Sequence, residues 1–360
     1  MKILVVGFAK IKYMPYANFY LENIDRKTHD VHFVYWNRDL KEEDTSRLAD
    51  ISLHEFRCYQ EDNVSRKSKI GSFLKYRKFV KQALKKESYD FVIVLHSMAG
   101  ILLQDIWTTK FRNRFIFDYR DSTYERFSFY RRMIAALIKS SKATFTSSDG
   151  FRCFFPKDCE KKVYTTHNIL MDSLSHRKQE HSNSEKIRVS FWGLIREGQT
   201  EKEVIKKFAQ DMRFELHYYG REQATAKMLK EYAQSIQAQN VFFHGEYKPE
   251  ERYEFARNTE LIHNIYRNAN MMLAVSNKYY DGSLFYIPQL CMVDSFMGKM
   301  AQESGIGFTC DPWAENFTES VYQYYSHLDK RAFVSACDQE ITRVIEEYQK
   351  AIGVVRDCLQ

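Results

Sequence analysis

Along the first 170 residues, short apolar runs alternate with amphipathic stretches. Lys2–Val6 reads as a buried strand closed by Gly7, and Pro15 suits the first turn of a helix reaching about Arg26. Strands are expected at Val31–Trp36 and Ile51–Arg57. From Arg66 to Lys86 the apolar residues Ile70, Phe73, Leu74, Val80 and Leu84 recur at helical spacing among lysines and arginines. Phe91–Leu95 is a continuous apolar strand, Ala99–Trp107 a helix, Arg114–Phe117 a strand and Phe129–Lys139 a helix. Short strands follow near Ala143–Thr146 and Lys162–Thr166. Strands separated by such helices predict a parallel sheet covered on both faces.

The periodicity lapses over the polar segment Asp172–Glu185, which reads as a linker. It then restarts with strands at Ile187–Trp192, Phe214–Tyr219 (closed by Gly220) and Val241–His244 (followed by Gly245). Helices at Glu201–Ala209, Glu222–Ile236 and Pro249–Ala256 separate and follow them. The predicted fold is α/β, with two Rossmann-like, doubly wound parallel-sheet domains facing a cleft. The expected divisions are residues 1–171, a linker at 172–185, a second domain at 186–340, and a C-terminal helix at 341–360 packing back on the first domain.

Composition narrows the class. With 44% apolar and 28% charged residues in a chain of 360, neither a disordered nor a collagen-like protein fits. No apolar run approaches the roughly 18 residues of a membrane span. The apolar start is too short for a signal peptide, with Lys10 and Lys12 close behind, so a cytoplasmic chain is expected. Seven cysteines, an odd number with no Cys-x-x-Cys pair, read as reduced thiols rather than a disulfide framework or zinc ribbon. The charge is uneven: residues 1–180 hold 33 Lys and Arg against 22 Asp and Glu, and the rest 21 against 25, a net of +11 and −4. The first half is therefore expected to meet an anionic partner. Arg66–Lys86, with nine Lys or Arg and interleaved Phe73, Tyr76 and Phe79, and the basic-aromatic stretch Tyr124–Lys142 suit an anionic membrane surface. Each also serves as a helix burying its apolar stripe on the sheet. No nucleic-acid recognition motif accompanies the charge, so nucleic acid is not an expected partner.

The first strand–helix turn, Gly7-Phe-Ala-Lys-Ile-Lys-Tyr, has one glycine where a dinucleotide fingerprint has three, which argues against a nicotinamide or flavin enzyme. No Walker, His-Glu-x-x-His or Gly-x-Ser-x-Gly sequence occurs, and the eleven histidines lack metal-ligand spacing. The informative segments are Ser276-Asn-Lys-Tyr-Tyr-Asp281, with Pro288 seven residues on, together with Asn240-Val-Phe-Phe-His-Gly245 and Ser190-Phe-Trp-Gly193-Leu-Ile-Arg196.

In that order and spacing, the segments from Arg188 to Phe308 resemble the C-terminal half of the family 4 glycosyltransferases, enzymes of the two-domain GT-B architecture. The resemblance implies transfer of a sugar from a nucleotide-sugar donor to a glycan acceptor, lipid-linked, in capsule, O-antigen or exopolysaccharide synthesis. It also implies a metal-independent, retaining reaction with no cofactor, on a protein peripheral to the inner face of the cell membrane. Asp281 would bind the donor ribose, and Ser276, Asn277 and Lys278 would open the same helix, where free amides favour phosphate. In the phosphate loop after Gly193, Arg196 would neutralise the leaving diphosphate and Lys202 assist, both shifted by two from the family positions; otherwise both are solvated loop charges. Arg221, after Gly220, is a further donor-side candidate.

On the first domain, His96 would face the donor sugar, or simply cap the following helix. Asp121 would orient or deprotonate an acceptor hydroxyl, unless an Arg120–Asp ion pair braces that loop. Gly7, Lys10 and Arg120 would line the acceptor side, and domain closure would complete the site. The family signature's first acidic residue, eight positions before Asp281, is Leu273 here, which leaves the transferred sugar and the stereochemistry open. Two alternatives stand beside this reading: a non-catalytic scaffold of the same fold, and a nucleotide-sugar epimerase.

Overall fold

The structure, a computed structural model, describes residues 1–61, 66–177 and 184–360, with the side chains of 66–68 left out. The chain divides into two compact units: Met1–His167 with Glu346–Gln360, and Asn168–Ile345.

The first unit holds strands β1 (Lys2–Val6), β2 (Asp30–Asn37), β3 (Ser52–Arg57), β4 (Phe91–Leu95), β5 (Phe115–Tyr119), β6 (Ala143–Thr146) and β7 (Val163–Thr165). They form one sheet in the order β3-β2-β1-β4-β5-β6-β7, and every pairing is parallel. Its helices are α1 (Ala17–Leu21), α2 (Arg66–Lys86), α3 (Ser97–Leu102), α4 (Gln104–Trp107) and α5 (Ser128–Ser140). All five residues of β4 are buried, as a central parallel strand covered on both faces requires. The helix begun at Pro15 stops at Leu21, because Asn23 bonds back to the Phe19 carbonyl and Asp25 gathers Lys27 and Thr28 into a turn. The single helix expected over Ala99–Trp107 is two, broken at Leu103.

The high aromatic content appears as packed rings. Phe8, Trp36, Phe73 and Tyr76 meet at centroid distances of 5.2–6.0 Å between β2 and α2. Buried beneath β5, Arg120 lies 2.8 Å from the Asp118 carboxylate and 4.7 Å from the Tyr16 ring. Burial pushes the Asp118 carboxyl up, against the pull of Arg120.

The second unit repeats the plan with β8 (Ile187–Trp192), β9 (Phe214–Tyr219), β10 (Val241–Gly245), β11 (Leu261–Asn264), β12 (Gln289–Met292) and β13 (Gly307–Cys310). These form a second all-parallel sheet, in the order β10-β9-β8-β11-β12-β13. Its helices are α6 (Gly198–Ala209), α7 (Ala224–Ser235), α8 (Arg252–Arg257), α9 (Asn277–Leu284), α10 (Phe296–Glu303) and α11 (Phe317–Ser326). The last helix, α12 (Lys330–Cys358), starts in this unit, and its residues from Glu346 belong to the first. There Tyr348 meets Phe19 edge-on at 5.1 Å.

Of the segment expected as a linker, 178–183 lies outside the described residues; Met171–His176 forms a 3-10 turn of the second unit and buries Ser173. Among the described residues, no helix is long and apolar enough to cross a membrane. Both sheets reverse strand order beside their first strand, between β1 and β4 and between β8 and β11. At such switch points loops diverge at the carboxyl edge and leave a crevice.

Removing one member of the Asp118–Arg120 pair leaves a buried charge alone. Arg120→Met is expected to destabilise the protein by about 3–5 kcal/mol, and adding Asp118→Leu to restore much of that, as measured by urea unfolding of both variants.

Candidate functional site

The switch point of the second unit is built from the ends of β8, β9 and β11. Gly193 leaves β8 at φ 122°, a conformation open to glycine. A Cβ on Gly220 would stand 2.1 Å from the Gly193 carbonyl oxygen, so only glycine lets the two strand ends approach. The chain then passes through Arg196 and Glu197 into α6, whose N-terminus no side chain caps. Arg196 is exposed and makes no hydrogen bond or ion pair with any described residue, although its field reaches Tyr266 and Lys278. Glu197 fastens the next loop: its carboxylate accepts from the Arg267 amide at 2.7 Å, the Asn268 amide at 3.1 Å, the Asn268 side chain, and the Thr200 hydroxyl at 3.0 Å.

Beneath these loops lies a buried carboxylate. Glu201 accepts from the Tyr218 hydroxyl at 2.7 Å and from His263 Nε2 at 2.8 Å. His263 Nδ1 accepts the Ile265 amide at 3.1 Å, so the ring is a neutral donor to Glu201. This network joins α6, β9 and β11, the elements that carry the crevice. Glu197 and Glu201 were not singled out from the sequence. A signal existed for the second, because Glu201 falls on the stripe with Val204, Ile205 and Phe208, where an apolar residue belongs.

At the start of α9, the Ser276 hydroxyl donates to Asn264 at 2.8 Å instead of capping the helix, and Asn277 is exposed. Lys278 turns inward. Its ammonium donates to the Tyr266 hydroxyl and sits 4.1 Å from the Phe191 ring centroid, with no carboxylate at ion-pair distance among the described residues. Burial brings its pKa down to about 7. Asp281 is 5% exposed; it accepts from Trp192 Nε1 at 2.8 Å and lies 3.6 Å from Arg252, which donates to Ser173 at 2.7 Å. Burial raises the Asp281 carboxyl, against Arg252, Trp192 and Lys278. A ribose contact at Asp281 therefore requires exchange with Trp192 or Arg252. Lys202 sits over the Tyr232 ring at 5.3 Å, in the α6–α7 contact, and exposed Arg221 pairs with Glu246 at 2.9 Å. Of the donor-side residues, Arg196 and Asn277 are exposed at the carboxyl edge, whereas the Ser276 hydroxyl is bonded to Asn264 and the Gly193 amide to the Tyr219 carbonyl.

In the first unit, the three expected acceptor-side residues are occupied internally. A Cβ on Gly7 would meet Met14 at 2.5 Å, and its carbonyl takes the Tyr76 hydroxyl. Lys10 is buried, with Asp39 at 2.6 Å and the Lys41 carbonyl at 2.7 Å. Arg120 is buried with Asp118, so a bracing ion pair is present, with Asp118 as its acid. His96 and Asp121, by contrast, come together at the ends of β4 and β5, with Nε2 4.0 Å from the carboxylate. His96 caps α3 by accepting the Met98 amide at 3.2 Å. Its backbone, at φ 76° and ψ 145°, occupies a region that side chains rarely adopt, a strain of order 1–3 kcal/mol. Burial lowers its pKa against the pull of Asp121, so the imidazole is neutral at pH 7. Among the described residues, no group of three or more His, Cys, Asp and Glu is arranged to hold a metal.

Two switch-point α/β sheets of this strand order define the GT-B fold, and solved structures share it over nearly the whole chain. Anabaena Alr3699/HepE in complex with UDP matches with a TM-score of 0.72 at 13% identity, over 99% of this chain and 100% of that one. A glycosyltransferase from Rickettsia africae ESF-5 matches at 0.71 and 11% identity, over 100% and 98%. A structure described as a UDP-N-acetylglucosamine 2-epimerase, from Listeria monocytogenes, matches at 0.58 and 11%, over 97% of each chain. No family model matches the chain, and no curated protein matches it in sequence. At these identities the likeness establishes the fold.

Two outcomes test the site's construction. A lysine held near pKa 7 binds fewer protons folded than unfolded between pH 7 and 10.5, so its contribution to stability rises with pH across that window. Urea unfolding at pH 7, 8 and 9 should show a slope component of up to about 1.4 kcal/mol per pH unit that Lys278→Met removes. Gly220→Ala should cost about 1–3 kcal/mol, read as a lower midpoint in the same assay, by pushing the Gly193 peptide away.

Proposed function

We propose that the chain is a glycosyltransferase that moves a sugar from a nucleotide-sugar donor to a lipid-linked glycan acceptor, in synthesis of a bacterial surface polysaccharide. The observation that carries this reading is Arg196. It is an exposed cation, unpaired among the described residues, between the Gly193–Gly220 approach and the uncapped start of α6, at the switch point of a GT-B-fold unit. Neighbours of the same fold include one bound to UDP and one described as a glycosyltransferase.

Cleavage of the bond between the anomeric carbon and the diphosphate oxygen builds negative charge on the diphosphate. Arg196 and the free α6 amides stabilise that charge, taking the part a metal plays elsewhere. Lys278 is a reserve cation, inward-facing and poised near neutrality. In a retaining reaction the new bond forms on the face the leaving group departs from, and the departing phosphate oxygen takes the acceptor's proton. Neutral His96 is a hydrogen-bond partner for the sugar or its phosphate, and Asp121 orients the acceptor hydroxyl. The protein acts at the inner face of the cell membrane, where a lipid-linked acceptor lies.

The epimerase-like neighbour supports a second reading, in which a free nucleotide-sugar is altered without any acceptor. Incubation with UDP-sugars alone separates the two: new products without acceptor favour the epimerase.

A thermal-shift screen against UDP, GDP, CMP and their sugar conjugates tests the donor site. One nucleotide series is expected to raise Tm. Arg196→Ala should keep the unliganded Tm and weaken that nucleotide about ten- to a hundredfold, as expected for a lost charge-assisted contact. No shift with any nucleotide, or an unchanged affinity in the variant, overturns the reading.

A further inference from the structure

The outer face of α2 carries a single line of side chains: Ile70 and Leu74, 55% and 59% exposed, followed by Lys78, Lys81 and Lys85. Along this line runs an open groove of about 680 Å³, with Lys110 on its far wall. The walls are pinned by Arg77, which bonds Asp105 at 2.7 Å and the Leu102 carbonyl. Asp105 also lies 3.6 Å from Lys81, but Lys78, Lys85 and Lys110 have no ion pair among the described residues. At the start of α5, Phe127 and Phe129 stand 39% and 60% exposed, their rings stacked at 5.8 Å, with Arg126 4.6 Å over Phe127.

These features share one layer. The crossovers β3→β4, β4→β5 and β5→β6 all move the same way across the sheet, and right-handed connections put α2, α4 and α5 on one face. Gln104 donates to the Met133 carbonyl at 3.1 Å, joining α4 to α5 as Arg77 joins α2 to α4. Helices that return antiparallel to the strands begin at the carboxyl edge. Ile70 and Leu74, in the first half of α2, and Phe127 and Phe129, at the start of α5, therefore lie toward the edge that carries His96 and Asp121.

We propose that this face of the first unit seats on an anionic bilayer. Phe127, Phe129, Ile70 and Leu74 enter the headgroup layer, and the lysine groove takes lipid phosphates. The charge complementarity selects the occupant: three unpaired cations facing one paired carboxylate suit a surface of phosphate diesters, and exposed aromatic and aliphatic tips suit the interface above acyl chains. Resting on the proposed glycosyltransferase reading, the seat turns the His96–Asp121 edge toward an acceptor anchored in the same bilayer.

Co-sedimentation with phosphatidylcholine vesicles, with and without phosphatidylglycerol, tests this. The full chain is expected to bind the phosphatidylglycerol vesicles, less so as salt rises. The variant Lys78→Gln/Lys85→Gln/Lys110→Gln should lower the partition coefficient roughly a hundredfold. Phe127→Ser/Phe129→Ser should abolish the binding that survives high salt. Both variants should keep the wild-type Tm response to nucleotide. Wild type binding neither vesicle, a triple variant binding as wild type, or binding suppressed by millimolar inorganic phosphate without preference between vesicles overturns the proposal. Vesicle binding without any nucleotide response would instead overturn the donor-site reading and leave the seat standing.

Discussion

The carboxyl edge of the second unit hangs on a carboxylate that water does not reach. Among the described residues Glu201 accepts from the Tyr218 hydroxyl and the His263 imidazole, and each comes from a different strand flanking β8. A carboxylate in such a place holds its partners firmly, because losing either leaves a buried polar group unsatisfied. One turn earlier on the same segment, Glu197 gathers the loop after β11 by its backbone. The two carboxylates divide the labour: one fixes the elements below the crevice, and the other fixes the rim. Arg196 comes just before Glu197 in sequence and has no partner among the described residues, which is the condition for meeting an anion from outside.

The alternation of apolar runs and amphipathic stretches made most of the fold legible. β1, α2, β4, β6, β8 and β9 fall where the pattern puts them: β1 and β4 are nearly continuous apolar runs, β9 alternates buried and half-buried positions, and α2 keeps a clean helical period. Legibility failed where local chemistry competed with the pattern: α1 ends at an Asn23 side-chain bond, and β11 has only four residues, with His263 and Asn264 buried in it as polar members of networks. The turn Met171–His176 was hidden for a similar reason, since the buried Ser173 finds its partners in Arg252 and Tyr253, about eighty residues later.

Site residues divided along the same line. His96 and Asp121 were readable because strand ends in a parallel sheet share one edge, so residues that follow β4 and β5 become neighbours. Gly7, Lys10 and Arg120 follow strands too, but sequence position does not say which way a side chain turns. Each is engaged inside the first unit, by Met14, Asp39 and Asp118 respectively. Lys278 and Asp281 show the limit most clearly: two charged residues on the first turns of a helix look solvent-facing, yet both are buried, under Phe191 and Tyr266 in one case and Trp192 in the other.

The setting of Lys278 has a chemical consequence. An amine whose pKa is about 7 is substantially unprotonated at neutral pH, and an unprotonated amine is a nucleophile. Burial denies it reagents. The rate at which a small acylating agent modifies this one lysine is therefore set by how often the start of α9 opens, and the protein carries at that position its own clock for local breathing.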